Sequence, residues 1–261
     1  MVDEPSVLLV FERCVSARRA NTLISLVSAK DKEFHFQNWF SDRLGETGLN
    51  HEPGGRNSYP DFRMVNSPEG FEIKGLKYPG REASFDCNSQ VPTGLHNGRT
   101  VYYVFGRYPE RPDGPDYPVL DLVVVDGSFL NARHEYVHKN KSVRGFGSYG
   151  DILIRDRKMY VAPTPFGVLE GVAHAATLIL RADVAAPERF VCVGNITRRE
   201  SPTIITGYEF DLVKNDLTAR TVPNSDAGRE HRFRAWRTTD DPSTPVCLRA
   251  DSPVVDDEDT E

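Results

Sequence analysis

The stretches Tyr59-Pro60-Asp61-Phe62 and Phe71-Glu72-Ile73-Lys74-Gly75 decide how this chain of 261 residues folds. Each is rich in residues typical of β-strands, and Asn66-Ser67-Pro68-Glu69 between them is a turn signal. The pattern therefore predicts a hairpin whose arms lie within 58–65 and 70–77. Side chains alternate across a strand, so the second arm directs its two charged residues to one face and its two apolar residues into the core.

The hairpin brings a set of charged groups together. With the turn near Ser67, Asp61 falls opposite Glu72 and Ile73, on the face that Lys74 shares. A hard divalent cation prefers oxygen ligands, which the carboxylates of Asp61 and Glu72 supply, with the Ile73 carbonyl as a third. Bound Mg²⁺ polarises a phosphate and lowers the pKa of a coordinated water, and Lys74 is placed to orient or activate that water. Burial would lower the pKa of Lys74 and the carboxylates would raise it, and the sequence leaves both outcomes open.

The spacing carries a resemblance to a known family. Pro60-Asp61, ten further residues and then Glu72-Ile73-Lys74 resembles the motif of the PD-(D/E)XK nuclease superfamily, which includes most type II restriction endonucleases. The resemblance covers about residues 30–77. It implies a restriction-endonuclease-like core, a Mg²⁺ cofactor and catalytic roles for Asp61, Glu72 and Lys74. A helix before the hairpin often adds an acidic residue in that superfamily, and this role falls on Glu33.

The predicted function is Mg²⁺-dependent hydrolysis of phosphodiester bonds in double-stranded DNA by a sequence-specific type II restriction enzyme. A palindromic site would imply a two-fold homodimer, because each strand needs its own active site. A repair or recombination nuclease with the same core is an alternative. Others are a non-catalytic DNA-binding module and an ordinary surface hairpin with a cross-strand ion pair.

A second motif gives a competing hypothesis. His134-Glu135-Tyr136-Val137-His138 matches HExxH, in which two histidines bind zinc and the glutamate is the base of a metalloprotease. Zinc-protease helices are apolar around this motif, whereas Arg133 and Lys139 flank it here. Neither Glu nor His occurs between His138 and Glu170, so the usual third ligand is missing at short range.

The rest of the chain predicts an α/β fold with a central mixed sheet flanked by helices and a β-rich C-terminal portion. The first 50 residues or so read as largely helical, with a break near 29–31 and Asp31 as a candidate N-cap. Thr164-Pro165 predicts a further helix that buries Phe166 and Ala176. Strands are predicted at 100–105, 119–125, 151–154, 158–161, 190–193, 203–212 and 232–237.

Two segments are candidate DNA-facing surfaces. Residues 78–100 form a long polar stretch whose side chains suit contacts to base edges and phosphates: Arg81, Asn88, Gln90, His96, Asn97 and Arg99. Near the C-terminus, bases interleave with aromatics, and a strand there would place Arg232, Arg234 and Trp236 on one face.

Composition limits the class of protein. Lys and Arg total 32 against 38 Asp and Glu, and residues 251–261 hold six acids and no base, so residues 1–250 are electrically neutral. The acidic end is expected to be a disordered tail. With the family resemblance given above, we expect a single nuclease domain over 1–250, including helix plus catalytic hairpin at 17–77. The four cysteines lack paired spacing, the acidic start does not resemble a secretory segment, and the apolar runs are too short to span a membrane. These features predict a cytoplasmic protein.

Overall fold

A computed structural model describes residues 4–25, 32–55, 58–80, 83–87, 90–110, 114–132, 148–149, 152–155, 159–169, 175–214 and 216–241. Its helices are α1 (Ser6–Arg19), α2 (Lys32–Glu46) and α3 (Pro165–Val168), with a 3₁₀ turn at Gly127–Phe129. Its strands are β1 (Ile24–Ser25), β2 (His51–Pro53), β3 (Phe62–Met64), β4 (Glu69–Tyr78), β5 (Ser84–Asp86), β6 (Leu95–His96), β7 (Arg99–Pro109), β8 (Asp116–Tyr117), β9 (Asp121–Asp126), β10 (Leu153–Arg155), β11 (Met159–Pro163), β12 (Ala176–Arg181), β13 (Phe190–Arg199), β14 (Thr203–Asp211), β15 (Asp216–Pro223) and β16 (Glu230–Thr238).

A nine-stranded mixed sheet is the framework of the molecule. Its order is β13-β16-β12-β9-β7-β4-β3-β2, with β6 paired to β7. Strands β2, β3 and β4 form an antiparallel meander, β4 runs parallel to β7, and β9 runs parallel to β12. Smaller sheets join β10, β11 and β5, β14 with β15, and β1 with β8. The predicted α/β class with a central mixed sheet is confirmed, and the described elements after α3 are all strands.

Apolar side chains cover the sheet on both sides. On the first side, which we call the helix face, Phe71, Ile73 and Val104 pack with residues of α1 and α2. On the second, the opposite face, Tyr103 and Phe105 pack in a separate cluster with residues of β5 and β11. Strand β7 therefore contributes alternate side chains to two cores, which explains its nearly continuous burial.

The contact between α2 and the sheet depends on two glycines. Gly75 of β4 and Gly106 of β7 are neighbours in the parallel pairing, and the fully buried Phe36 ring of α2 lies over them. A Cβ atom at Gly106 would overlap that ring, so a larger residue there would push the helix away. At its other end, β4 docks α1, since the buried Glu69 carboxylate accepts a 3.0 Å hydrogen bond from the Ser6 amide.

The N-terminal helical region differs in its boundaries from the sequence prediction. Helix α1 ends at Arg19, and Asn21 takes the left-handed conformation, with φ 54°, that often terminates a helix. Residues 24 and 25 then form a strand instead of continuing the helix. The proposed N-cap Asp31 lies outside the described residues.

The helix predicted after Thr164 was wrong beyond its first turn. The Thr164 side chain caps α3 by accepting from the Gly167 amide, as the Thr-Pro signal indicated, but α3 ends at Val168. Ala176 begins strand β12 instead. This strand lies between β9 and β16, and its first five residues are buried. A strand buried on both faces shows no alternation of polar and apolar residues, so its apolar run resembles a helix in sequence.

Candidate active site

The hairpin places Asp61 beside the second arm. Strand β3 pairs with β4 in the register Phe62 to Phe71 and Arg63 to Gly70, so the residue before Phe62 faces the region of Glu72 and Ile73. The Asp61 Oδ2 atom accepts a hydrogen bond from the Ile73 amide at 2.8 Å. The juxtaposition expected from the turn length is therefore present.

Glu72 and Lys74 lie on the opposite face of the sheet, away from the helices. Their side chains form an ion pair of 2.8 Å between Lys74 Nζ and Glu72 Oε1, and each is only 13 % exposed. Phe71 and Ile73 belong to the helix-face core. The alternation expected along this strand is confirmed, with the charged pair largely covered.

The sequence left open whether the pKa of Lys74 is lowered or raised, and the surroundings of the amine in the structure decide between the two. Burial lowers the pKa of Lys74, but the charge of Glu72, its hydrogen bond and the charge of Asp61 together raise it above the ordinary value for lysine. The amine is therefore protonated at neutral pH. As an ammonium group it donates hydrogen bonds and offsets negative charge, and it does not accept a proton.

Three residues near the charged pair were not singled out from the sequence. Tyr103 of β7 is the register neighbour of Glu72, and its hydroxyl lies 2.7 Å from that of Tyr59. Burial raises the pKa of the Cys87 thiol against the opposing effect of Lys74, so this cysteine stays protonated. Strand alternation before Asp61 would have drawn attention to Tyr59. Tyr103 lies on β7 and Cys87 directly follows β5, and no local pattern reveals that these residues lie near Glu72 and Lys74.

The donor set fits one type of metal. Among the described residues there is no cluster of three or more His, Cys, Asp or Glu side chains suited to holding an ion. A closed zinc or calcium cage therefore has no counterpart in this part of the chain. Mg²⁺ is usually held by one or two carboxylates, with water and substrate phosphate completing its octahedron. Asp61 and Glu72, with the Ile73 carbonyl, match that requirement.

The remaining candidates for chemistry are only partly described. Glu33 is the second residue of α2, and its side chain lies outside the described part of the molecule. His134 and His138 of the HExxH motif lie outside it entirely, as do Arg81 and Asn88. Gln90 is described, and its amide donates to the neighbouring Val91 carbonyl at 3.2 Å.

The end of the 78–100 segment lies close to the site. The His96 ring packs edge-on against Tyr59 with centroids 4.8 Å apart, and burial lowers the pKa of His96. Asn97 is exposed and has a positive φ of 49°. Arg99 donates to the Met64 carbonyl at 2.7 Å, so it holds the turn of the hairpin.

The second candidate DNA surface lies elsewhere. Arg232 and Arg234 are exposed on β16, and Arg234 is the register neighbour of Leu180, a residue of the helix-face core. They share this face with Trp236, as expected, although Trp236 is buried in the core. These arginines therefore lie on the other side of the sheet from Glu72 and four strands away, roughly 19 Å at the usual spacing.

Comparison of the chain with known proteins identifies no similar protein. No protein-family model matches the chain, and neither does a curated protein or a solved structure. Within the described ranges, no helix combines the length and the apolar character needed to cross a membrane. Function is therefore inferred from the chemistry of the site.

Proposed function

We propose that this protein is a Mg²⁺-dependent endonuclease that hydrolyses DNA phosphodiester bonds, with a restriction-endonuclease-like core. One observation carries the proposal: two carboxylates and one ammonium group converge on adjacent strands. Lys74 pairs with Glu72 at 2.8 Å, and Asp61 is fixed to the Ile73 amide between them. A helix before the hairpin and a mixed sheet around it agree with the order of elements that the motif implies.

Each residue has a defined part in this chemistry. Asp61 and Glu72, with the Ile73 carbonyl, would hold the cation. Bound Mg²⁺ supplies Lewis-acid stabilisation of the scissile phosphate and makes water more acidic. Lys74, protonated, donates to the phosphate oxygens as negative charge develops on them, and it orients the attacking water. With Lys74 in the ammonium form that Glu72 and Asp61 favour, the proton of that water would pass to solvent or to the phosphate.

Side chains on the same face of the sheet support DNA as the substrate. His96 and Asn97 lie at the end of the segment that packs on Tyr59, within reach of a duplex held at the site. Residues 1–250 carry no net charge, so DNA would be held by local contacts and not by a basic coat. We infer a sequence-specific type II restriction enzyme, acting as a homodimer on a two-fold symmetric site.

Plasmid digestion with a matched pair of variants tests the proposal. Glu72→Gln removes the carboxylate at the site, whereas Glu69→Gln alters another buried glutamate of the same strand on the helix face. Glutamine at position 69 keeps an oxygen for the Ser6 amide and an N–H for the Tyr102 hydroxyl. We expect Mg²⁺-dependent cleavage by the wild type and by Glu69→Gln, and a loss of at least a hundredfold in Glu72→Gln.

The products distinguish the kinds of nuclease. Discrete bands support a restriction enzyme, and a smear favours a repair nuclease over a sequence-specific one. Equal cleavage by Glu72→Gln and the wild type, with both folded by circular dichroism, contradicts the assigned site. DNA binding without cleavage at any Mg²⁺ concentration overturns the enzymatic proposal.

A further inference from the structure

Two tyrosines span the strand that carries Glu72 and Lys74. Tyr59 lies two residues before Asp61, on the arm that joins β3, and Tyr103 lies on β7. Strand β4 runs between β3 and β7, so the 2.7 Å contact between the two hydroxyls crosses it at the level of Glu72. The tyrosine pair therefore links the arm that carries Asp61 to β7, across β4, which carries Glu72 and Lys74.

The Asp61 arm has few other attachments to β4. Strand β3 is three residues long and pairs with β4 at only two positions, neither of which includes Asp61. On its other side the arm is held by β2, which pairs with β3 at three positions, and by the Gly54 amide, which donates to the Asp61 carbonyl. Toward β4 and β7, the side-chain hydrogen bonds of residues 59–61 include the Asp61–Ile73 bond and the Tyr59–Tyr103 pair. The second contact is the one that does not use a candidate metal ligand.

Both tyrosine rings pack against other aromatic side chains. Tyr103 is 2 % exposed and packs against Phe85 and Phe105, with ring centroids 6.1 and 6.2 Å away. His96 packs against the Tyr59 ring at 4.8 Å. A buried hydroxyl without its partner is unfavourable, so the hydrogen bond between the two rings favours one separation.

We propose that the Tyr59–Tyr103 hydroxyl pair is a positioning device that fixes the separation of the Asp61 and Glu72 carboxylates and thereby sets the affinity of the site for a divalent cation. The inference rests on the proposed function, because it assigns these carboxylates to a metal. Burial is the main cause of the raised pKa of both tyrosines, and the charge of Glu72 adds to it, consistent with the closeness of the pair to that carboxylate. Neither tyrosine is assigned a contact with the reacting atoms.

If the tyrosine pair had a purely structural role, a matched change at a neighbouring buried tyrosine would have the same effect on Mg²⁺ binding. Strand β7 provides that control residue. Tyr102 is the preceding residue of β7, is 4 % exposed and donates to Glu69 Oε1 at 3.3 Å on the helix face. Tyr102→Phe therefore removes a buried hydroxyl that is hydrogen-bonded to the Glu69 carboxylate. Tyr103→Phe likewise removes a buried hydroxyl, in this case near the Glu72 carboxylate. Only the latter change borders the candidate metal site.

The test is calorimetric titration of Mg²⁺ into the wild type and the Tyr59→Phe, Tyr103→Phe, Tyr59→Phe/Tyr103→Phe and Tyr102→Phe variants, with plasmid cleavage measured across the same Mg²⁺ concentrations. We expect Tyr59→Phe and Tyr103→Phe each to weaken Mg²⁺ binding about fivefold, the factor that one hydrogen bond of about 1 kcal/mol represents. The double variant should be no weaker than either single one, because one bond is lost in all three. Saturating Mg²⁺ should restore cleavage, and Tyr102→Phe should bind Mg²⁺ like the wild type.

The outcomes separate the two proposals. Unchanged Mg²⁺ affinity in the Tyr59 and Tyr103 variants of a protein that binds Mg²⁺ and cleaves DNA overturns the positioning role alone. An equal loss in Tyr102→Phe also overturns it, because loosening of the core would then explain the effect. If the wild type binds Mg²⁺ with the expected variant pattern but cuts no DNA, the proposed function fails and the positioning role stands. Absence of Mg²⁺ binding by the wild type overturns both.

Discussion

Replacement of Lys74 by methionine separates the two effects of this residue, on the fold and on the chemistry. At 2.8 Å and an effective dielectric constant of about 20, the attraction between its ammonium group and the Glu72 carboxylate is about 6 kcal/mol. Desolvation of both groups offsets part of this, and removal of one partner of a buried pair costs about 3–5 kcal/mol. Since both side chains keep some exposure, we expect Lys74→Met to lose about 3 kcal/mol of unfolding free energy, or roughly 6–12 °C in Tm without metal.

Added Mg²⁺ should reverse much of that loss. Without the ammonium group, Asp61 and Glu72 attract a cation more strongly, because the repulsion between Lys74 and the cation is gone. Removing only about 1.4 kcal/mol of that repulsion corresponds to a tenfold gain in affinity for Mg²⁺. We therefore expect Lys74→Met to bind Mg²⁺ at least about tenfold more tightly than the wild type while losing cleavage. Thermal unfolding across a Mg²⁺ series measures both quantities, because stabilisation grows with the ratio of ligand to Kd.

A matched variant makes the result decisive. Lys77→Met removes a partly buried lysine three residues further along β4, and it should change neither Mg²⁺ affinity nor cleavage. If Lys74→Met binds Mg²⁺ more weakly than the wild type, or if Mg²⁺ stabilises it no more than Lys77→Met, then the carboxylates do not form a cation site and the reasoning is refuted.

Three further outcomes follow from other parts of the molecule. Arg107→Met should cost about 3–5 kcal/mol in urea unfolding, because it removes the guanidinium that bonds a buried aspartate from 2.8 and 2.9 Å; a loss below 1 kcal/mol would contradict that role. Arg234→Gln should leave plasmid cleavage within about twofold of the wild type, because it lies on the other face; a tenfold loss at low salt would show that this face takes part in DNA binding. Burial raises the pKa of Tyr59, Tyr102 and Tyr103 in the folded protein. The free energy of unfolding should therefore fall as pH rises above about 10, the pKa of tyrosine in the unfolded chain, and these three phenols should ionise only when the protein unfolds. A full rise of tyrosinate absorbance at 295 nm while the circular dichroism stays native would contradict this expectation.

The hairpin was predictable because its determinants are local. A turn signal and the alternation on either side of it fix which residues face each other, and Asp61, Glu72 and Lys74 meet as that pattern indicates. The charge state of Lys74 was not predictable in the same way. It depends on whether carboxylates or apolar groups lie closest to the amine, and that comparison requires coordinates.

The neighbours of the site come from distant parts of the chain. Tyr103 reaches Glu72 because β7 lies parallel beside β4, and Cys87 reaches Lys74 from the crossover between those strands. Which strand pairs with which is a non-local property, and no periodicity in 99–109 encodes it. The same limitation explains why Ala176 was wrongly predicted to lie in a helix. The apolar residues around it in the sequence suit a buried strand and a buried helix equally well.

Two ionic clusters on the opposite face of the sheet differ in how many carboxylates accompany each basic group. The Arg107–Asp121 pair is charge-balanced and buried, and its guanidinium lies between the Tyr78 and Phe166 rings. The two charges of this pair cancel each other, as in a structural ion pair. At the hairpin, two carboxylates, those of Asp61 and Glu72, lie near one ammonium group, that of Lys74, and the Glu72–Lys74 pair is largely covered.

A largely covered group of charged side chains does not by itself favour folding. An apolar set of similar volume would often be neutral or more stable there, since the side chains around it on this face are aromatic and aliphatic. Counted over Asp61, Glu72 and Lys74 alone, the divalent cation that we propose would change the net charge from one negative to one positive. A positive site of that kind attracts the phosphate of a nucleic acid, whereas the site without the cation repels it. If the protein acts as we propose, the charges of Asp61, Glu72 and Lys74 would make phosphate binding conditional on the metal, which a structural ion pair such as Arg107–Asp121 would not.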